Sequence, residues 1–310
     1  MSDSRKARRW LTRVAGAAIF GLGFWLASSR TPELNSVAVL PLTNVSTDPL
    51  DSDYLADGIS QSVITRLALA QVGLRLTPWD AVRHYRDRGE EAQEIARELN
   101  VGAVLLGSFQ LDGDRILTRL SLVEASTGLI TWADDFEESY SDLFQVQRRI
   151  AEGAAASLKR SLEKDEEEAL AAPESKSVEA YDLYLQGAYL VQTGTQESTE
   201  VAFQYFERAL ELDPNLADAY VGLGVVHTER YYNVWGGLSS LERAEESYER
   251  ALELNDVSMR ALRGLVMVSY FRGRGEDALQ KGSSAARVGR VDDLETLLTR
   301  APRPTSMGAL

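Results

Sequence analysis

The sequence predicts an α+β protein with three parts: an N-terminal membrane helix, a mixed sheet domain and an all-α array of helical repeats. Three observations support this fold class. An apolar run at 37–40 ends at Pro41, which is typical of a buried strand. Strand and helix patterns then alternate as far as residue 164, as expected for a sheet covered by helices. From Val178 onward a helical period dominates.

The first 35 residues predict a basic start, a membrane anchor and a short linker. The basic residues here are Arg5, Lys6, Arg8, Arg9 and Arg13. The stretch 10–29 carries only Arg13 as a charge, and an arginine near a helix end can reach the interface. Because basic residues stay in the cytoplasm, we expect a single-pass protein of the bacterial inner membrane with its bulk in the periplasm. The uncharged core at 14–27 is short, so a cleaved signal that leaves a soluble periplasmic protein remains the alternative.

Residues 36–164 predict one domain built on a mixed sheet. After the first strand, Asp57 suits the N-cap of a helix that has Ile59, Val63 and Leu67 on one face. Further strands are expected at 74–77, 101–111, 115–124 and 129–136, and further helices at 90–99 and 140–164. The last helix has an apolar face formed by Leu143, Val146, Ile150, Ala154 and Leu158. A strand–helix start followed by hairpins predicts parallel and antiparallel pairs in one sheet.

Sequence motifs across this domain resemble one known family. They are VAVLPL at 37–42, YLADGI at 54–59, ARELNV at 96–101, VLLGS at 104–108 and DLFQVQ at 142–147. Together they resemble the TolB amino-terminal-type domain of bacterial membrane regulators, nucleotide cyclases and protein kinases. The resemblance implies a mixed α/β fold and a place in the envelope or in signalling. Gln61 and Ser62 depart from the family, in which a pair of acids is usual, so a role that depends on those acids is not expected here.

Residues 178–300 predict tetratricopeptide-type repeats, which follow a charged linker at 165–177. The second-helix pattern of such a repeat occurs twice, at Ala202, Phe206, Ala209 and Pro214 and again at Ala244, Tyr248, Ala251 and Asp256. A third repeat begins at Ala261 and then loses the pattern, and the tail at 301–310 is expected to be disordered. Because so short an array leaves an apolar face uncovered, we expect it to lean on the first domain, on a partner or on a second copy of the chain.

Composition and motif spacing argue against enzymatic, metal-binding and nucleic-acid functions. A net charge of −14 over 310 residues disfavours broad nucleic-acid binding, and a chain without cysteine has no thiolate nucleophile. The acidic and histidine residues fit no metal site, since Leu55 interrupts the ligand order at 51–57. With no phosphate-binding loop and no nucleophile elbow, neither an enzyme nor a cofactor is expected. His227 occupies an aromatic packing position and is expected in the core.

Two surfaces are candidates for binding other proteins. One is the run of aromatic side chains at 231–235, whose exposure is costly unless the run packs back or meets a partner, and both alternatives remain open. The other is the inner face of the repeat helices. The predicted partner-binding residues of the two surfaces are Tyr181, Tyr184, Ala188, Val221, Val225, Thr228, Tyr231, Tyr232 and Trp235.

The expected function is that of a membrane-anchored, non-catalytic scaffold or adaptor that binds other envelope or signalling proteins. The alternative is a ligand-sensing or regulatory component of a membrane signalling system. The stretch before residue 10 is too short to fold into an output domain, so this alternative places the output domain on another chain.

Overall fold

The computed structural model describes residues 35–47, 52–70, 72–86, 91–158, 162–173, 175–256, 258–274 and 277. The predicted anchor at 10–29, the second half of the third repeat and the tail at 301–310 lie outside the described residues. Among the helices of the described residues, none is both long enough and apolar enough to cross a bilayer.

A six-stranded mixed sheet is the centre of the N-terminal half. Its strands are β1 (Ser36–Val39), β2 (Thr43–Asn44), β3 (Arg75–Leu76), β4 (Ala103–Asp112), β5 (Arg115–Glu124) and β6 (Ile130–Ser139). The spatial order is β3-β1-β4-β5-β6, and β2 also pairs with β4. β1 is parallel to β3 and β4, whereas β4, β5 and β6 are antiparallel, which confirms the predicted mixed sheet. The two-residue strand β2 was not predicted, because it is too short to show a periodic pattern.

Helices cover both faces of this sheet. They are α1 (Asp53–Leu69), α2 (Trp79–Val82), α3 (Ala92–Leu99), α4 (Leu143–Leu158) and α5 (Lys164–Ala171). The predicted apolar faces of α1 and α4 are buried together against one side of the sheet, with Ile59 and Val63 in the same core as Val146 and Ile150. Val82 of α2 and Ile95 of α3 are buried against the other side. The sheet therefore lies between two helical layers.

The start of α1 differs from the prediction. The helix begins at Asp53, a full turn before Asp57, and follows Ser52. The side-chain amide of Asn44 donates to Ser52 Oγ (3.0 Å) and to Asp53 Oδ1 (2.9 Å), so β2 holds the helix start in place. Asp57 therefore lies inside the helix, and its carboxylate pairs with Arg86 instead of capping the helix.

The acidic run of the predicted charged linker at 165–177 is helical. Residues 162 and 163 are not helical, so the single helix predicted over 140–164 is replaced by α4 and a separate α5. Glu163 and Glu166 form a reciprocal capping box at the start of α5, in which Glu166 accepts from the backbone N–H of Glu163 (2.8 Å). Acidic residues stabilise the first turn of a helix, which explains why a charge run resembling a linker forms this one.

Arg66 of α1 ties the end of α5 to the sheet domain. Its side chain is almost completely buried. Its guanidinium donates to the carbonyl oxygens of Leu170 (2.7 Å) and Ala172 (2.8 Å). These carbonyls belong to the last turn of α5, where no backbone N–H is available to them. The arginine therefore supplies the missing donors at the end of the helix.

Paired helices form the C-terminal half. They are α6 (Val178–Val191), α7 (Gln196–Leu212), α8 (Ala217–Tyr232), α9 (Leu238–Leu254) and α10 (Met259–Phe271). The large residues of the predicted repeat pattern, Phe206 and Tyr248, are buried between helices. A methyl group on any of the four facing glycines would lie within 2.8 Å of one of these rings; the glycines are Gly187, Gly222, Gly224 and Gly264. Small residues thus allow the close helix packing that the pattern predicts.

Candidate functional site

The sheet unit (residues 35–173) and the repeat unit (residues 175–277) pack against each other along α6. Leu185 of α6 lies against Gly58 of α1, and a Cβ at residue 58 would overlap the Leu185 side chain. Gly58 therefore allows the two helices to approach closely. The sequence predicted that the short array leans on the first domain, on a partner or on a second copy of the chain. This contact shows that the array packs against the first domain.

One carboxylate joins three elements across this contact. Asp182 of α6 accepts hydrogen bonds from the hydroxyl of Tyr54 (2.8 Å) and from that of Tyr140. Its other oxygen accepts from the Gln186 side-chain amide (2.7 Å). Burial raises the pKa of both tyrosines above its ordinary value, and the adjacent Asp182 carboxylate raises it further. Both hydroxyls therefore stay protonated at neutral pH and donate to Asp182.

Three predicted partner-binding residues are enclosed by the chain itself and expose at most 3% of their surface: Tyr181, Tyr184 and Val221. The Tyr181 ring packs edge-on against Phe144 of α4 (5.2 Å between centroids), and its hydroxyl accepts from Gln147 (3.4 Å). The Tyr184 hydroxyl accepts from Arg260 of α10 (2.6 Å). This part of the predicted inner surface is therefore covered by the chain's own sheet unit and third repeat.

Three more predicted residues of the inner face, Ala188, Val225 and Thr228, are half-buried. Val225 packs against the apolar cluster that joins α8, α9 and α10. The Thr228 hydroxyl donates to the Gly224 carbonyl (2.8 Å) within its own helix. These side chains present little free surface to a partner.

The aromatic loop (residues 231–238) connects α8 and α9. Some of its side chains pack back on the chain, and others are exposed. Tyr231 and Trp235 are half-buried, and the Tyr231 ring lies 5.5 Å from that of Phe271, so part of the loop packs back. Three other side chains of the loop are exposed, at fractions of 49% for Tyr232, 70% for Val234 and 69% for Leu238. The loop is therefore anchored at Tyr231 and presents three large apolar side chains.

The backbone of the aromatic loop is strained at Val234. Its φ of +63° lies in the left-handed region, which a β-branched residue rarely adopts. The neighbouring backbone is fixed, since the N–H groups of Trp235 (2.9 Å) and Gly236 (2.7 Å) both donate to the Arg230 carbonyl. A turn of this kind usually contains glycine or asparagine, so the sequence carries no signal for the observed conformation.

A polar cleft of about 380 Å³ lies where the two units meet. Its lining residues are Asp57, Asp80, Arg83, His84, Arg86 and Gln192. All but one belong to the sheet unit, on α1, on α2 and on the turn that follows α2, whereas Gln192 caps the end of α6. The sequence does not predict this cleft, because its residues are far apart in the chain and form no motif.

Ion pairs occupy most of the charges at the polar cleft. Arg86 pairs with Asp57 and lies 3.6 Å from Asp53. Asp80 pairs with Arg263 of α10 (2.8 Å), so the sheet unit also reaches the third repeat. Arg83 differs from these groups, because its guanidinium donates to the neutral amide oxygen of Gln192 (3.2 Å). The cleft thus contains carboxylates and guanidinium groups side by side.

His227 lies in the core, as predicted from its aromatic packing position. Its side chain is buried, and its ring is 5.8 Å from that of Phe203. Burial, together with the nearby guanidinium groups of Arg230 and Arg243, lowers the pKa of His227 to about 4. The imidazole is therefore neutral at pH 7. In the part of the chain that the structure describes, no group of three or more acidic or histidine residues is arranged to hold a metal ion.

Comparison with known families gives a match over the sheet unit. Residues 33–153 match the family model described as HilA/YgeH-like transcriptional regulator, second domain. This range runs from just before β1 into α4 and covers the whole sheet. The matched model describes a different family from the TolB amino-terminal type, so that resemblance stays a prediction.

One curated relative is also similar in sequence to this chain. The relative is named Putative adenylate cyclase 3, from Rhizobium meliloti (strain 1021), and is 30% identical over 208 residues. The match covers 67% of this chain and 35% of the relative, so the chain spans about a third of the relative's length.

Among solved structures, lipoprotein GNA1162 from Neisseria meningitidis is 18% identical in sequence, and its TM-score is 0.29. The match covers 34% of this chain and 80% of the lipoprotein chain. The PelC dodecamer from Paraburkholderia phytofirmans is 19% identical over 42% of this chain and 93% of its own, at a TM-score of 0.30. The family model alone shows that residues 33–153 are similar in sequence to the second domain of HilA/YgeH-like transcriptional regulators.

Proposed function

We propose that this chain is a protein-binding, regulatory component of a bacterial membrane signalling system, and that its aromatic loop contacts another protein. In this proposal residues 10–29 anchor the chain in the inner membrane, and the sheet and repeat units lie in the periplasm. The chain acts as a scaffold, and no catalytic step is assigned to it.

The observation that carries the proposal is the exposed apolar surface of the aromatic loop. Tyr232, Val234 and Leu238 each expose about half or more of their surface within seven residues of sequence. Clusters of exposed large apolar side chains often mark protein-binding surfaces, and tyrosine is enriched among the residues that dominate binding energy. The left-handed Val234 costs about 1–3 kcal/mol, and such strain is concentrated at functional sites.

The packing between the two units supports a scaffold role. Asp182, Leu185 and Tyr184 hold α6 against the sheet unit and against the third repeat. The loop at the end of α8 is therefore presented in a fixed position relative to the sheet. A partner that contacts the loop is thereby held at a fixed position relative to the sheet unit.

The comparisons support a regulatory role in signalling over a purely structural one. The matched family model describes a transcriptional regulator, and the relative's name describes a nucleotide cyclase. Both are classes of signalling protein. Because about two thirds of the relative lies outside the match, the activity in its name is assigned to no residue of this chain.

Photo-crosslinking in cells tests the proposal. A photo-reactive amino acid placed at Tyr232 in the full chain is expected to give a discrete adduct with another protein. The same amino acid placed at Val201, which is 38% exposed on α7, is expected to give none. Adding Leu238→Ser to the Tyr232 probe should reduce the adduct severalfold and leave the melting temperature unchanged, because Leu238 is 69% exposed.

The size of the adduct identifies the partner. An adduct of twice the chain's mass means that the partner is a second copy, and a different mass means another protein. The proposal is contradicted by the absence of an adduct at residue 232, or by adducts of equal yield at residues 232 and 201.

A further inference from the structure

We propose that the polar cleft binds a small zwitterion of the amino-acid type, with its carboxylate on Arg83 and its ammonium group beside Asp57 and Asp80. This proposal goes beyond the protein contact proposed for the aromatic loop. The cleft and the loop share no residue, so the two experiments can fail separately.

The size and place of the cleft suit a small ligand. Its volume of about 380 Å³ lies within the range of small-molecule sites, which is roughly 300–1,000 Å³. Such sites are often found where two structural units meet, as the sheet and repeat units do here. An open cleft of this volume can take an amino acid or a dipeptide.

The chemistry of the lining selects a charged ligand. The six lining residues are two aspartates, two arginines, a histidine and a glutamine, and none is apolar. An apolar molecule would gain no buried contact there and would remove water from charged groups, which is costly. The ligand is therefore one that replaces water with ionic hydrogen bonds.

Arg83 is the group of the cleft that is available to an anion. Its guanidinium donates to the neutral Gln192 oxygen, and among the described residues no carboxylate lies within 4.0 Å of it. A guanidinium presents several donors in a plane and binds a carboxylate through two parallel hydrogen bonds. Arg86, by contrast, already pairs with Asp57.

The two aspartates favour a zwitterion over a simple anion. Asp80 pairs with Arg263 through Oδ2, and Asp57 pairs with Arg86 through Oδ1. In the described part of the chain no other side chain pairs with the second oxygen of either carboxylate, which keeps its capacity to accept from an ammonium group. These oxygens can only accept hydrogen bonds, so they suit an ammonium group and offer no donor to a second carboxylate of the ligand.

A ligand in this position would also join the two units. Arg83 belongs to the sheet unit and Gln192 to the repeat unit, and they are in direct contact. A carboxylate bound at Arg83 lies next to the end of α6, so binding strengthens the contact along this helix. Occupancy of the cleft is thereby linked to the stability of the whole chain.

Thermal shift and titration calorimetry on the full chain in detergent test the proposal. The probes are the common L-amino acids and the dipeptide L-alanyl-L-alanine, each at millimolar concentration. We expect at least one probe to raise the melting temperature in proportion to the logarithm of its concentration. The N-acetyl derivative and the C-terminal amide of that probe should bind at least about tenfold more weakly, because each loses one charged contact.

Two arginine variants provide the matched comparison. Arg83→Gln should weaken binding of the probe by roughly 10–100-fold, which corresponds to the loss of a charge-assisted pair. Arg75→Gln, at an exposed arginine on strand β3 that does not line the cleft, should leave binding unchanged. The proposal is overturned if no probe binds, if Arg83→Gln binds the probe as well as the wild type does, or if inorganic phosphate binds more tightly than every zwitterion.

Discussion

Replacing Asp182 with alanine is expected to lower the free energy of unfolding by about 2–4 kcal/mol. The substitution leaves the hydroxyls of Tyr54 and Tyr140 without their acceptor at the contact between the sheet unit and the repeat unit. Each unsatisfied donor in a partly buried site costs about 1–3 kcal/mol. Glu207→Ala, at an exposed position of α7, is the control and should change stability by less than about 0.5 kcal/mol. Urea denaturation followed by circular dichroism measures both.

A double-mutant cycle identifies the source of this loss. In a chain that already carries Tyr54→Phe and Tyr140→Phe, no hydroxyl remains to be left unpaired, so Asp182→Ala should cost about half as much or less. An equal cost in both backgrounds would show that the carboxylate acts through some other contact, such as the one with Gln186.

Gly264→Ala is expected to lower the free energy of unfolding by about 1–3 kcal/mol, although alanine is the better helix former. A Cβ at residue 264 would overlap the ring of Tyr248, which is buried and also touches Gly224. The gain in helix propensity is about 1 kcal/mol, and the cost of overpacking exceeds it.

The Tyr248→Leu background tests whether the ring causes this loss. Without the ring, the added methyl group finds space, so Gly264→Ala should become neutral or stabilising and the sign of its effect should reverse. Urea denaturation of Gly264→Ala in the wild-type and Tyr248→Leu backgrounds measures the two changes in the free energy of unfolding. A destabilisation of the same size in both backgrounds would contradict the assigned contact.

Local patterns predicted much of this fold. The period of Ile59, Val63 and Leu67 and that of Val146 and Ile150 identified two helix faces that are buried against the sheet. The spacing of small and aromatic residues predicted the helix pairs around Phe206 and Tyr248. These signals are local, since residues three or four positions apart share a helix face whatever the rest of the chain does.

Features that depend on contacts distant in sequence could not be predicted in the same way. Tyr54 and Asp182 are separated by 128 positions, and no pattern links them. The start of α1 depends on a hydrogen bond from Asn44, which belongs to another strand. Two acidic residues cap α5, although a run of acidic residues in a sequence is typical of a linker. The predicted partner-binding residues Tyr181 and Tyr184 are covered by other parts of the chain. The sequence did not predict this, because the pattern of one helix does not show which other element packs on each of its faces.

The sheet unit and the repeat unit form one body along α6, and a designed disulfide tests this packing most directly. The chain contains no cysteine, so Gly58→Cys with Leu185→Cys introduces a single possible bond. A Cβ at residue 58 lies 3.1 Å from Leu185 Cγ, the position that Sγ of a cysteine at residue 185 would take. We predict that this pair forms an intramolecular disulfide in the folded protein, whereas Gly58→Cys with Val201→Cys stays reduced. If the first pair also stays reduced, or if both pairs oxidise equally, the two units do not pack as described.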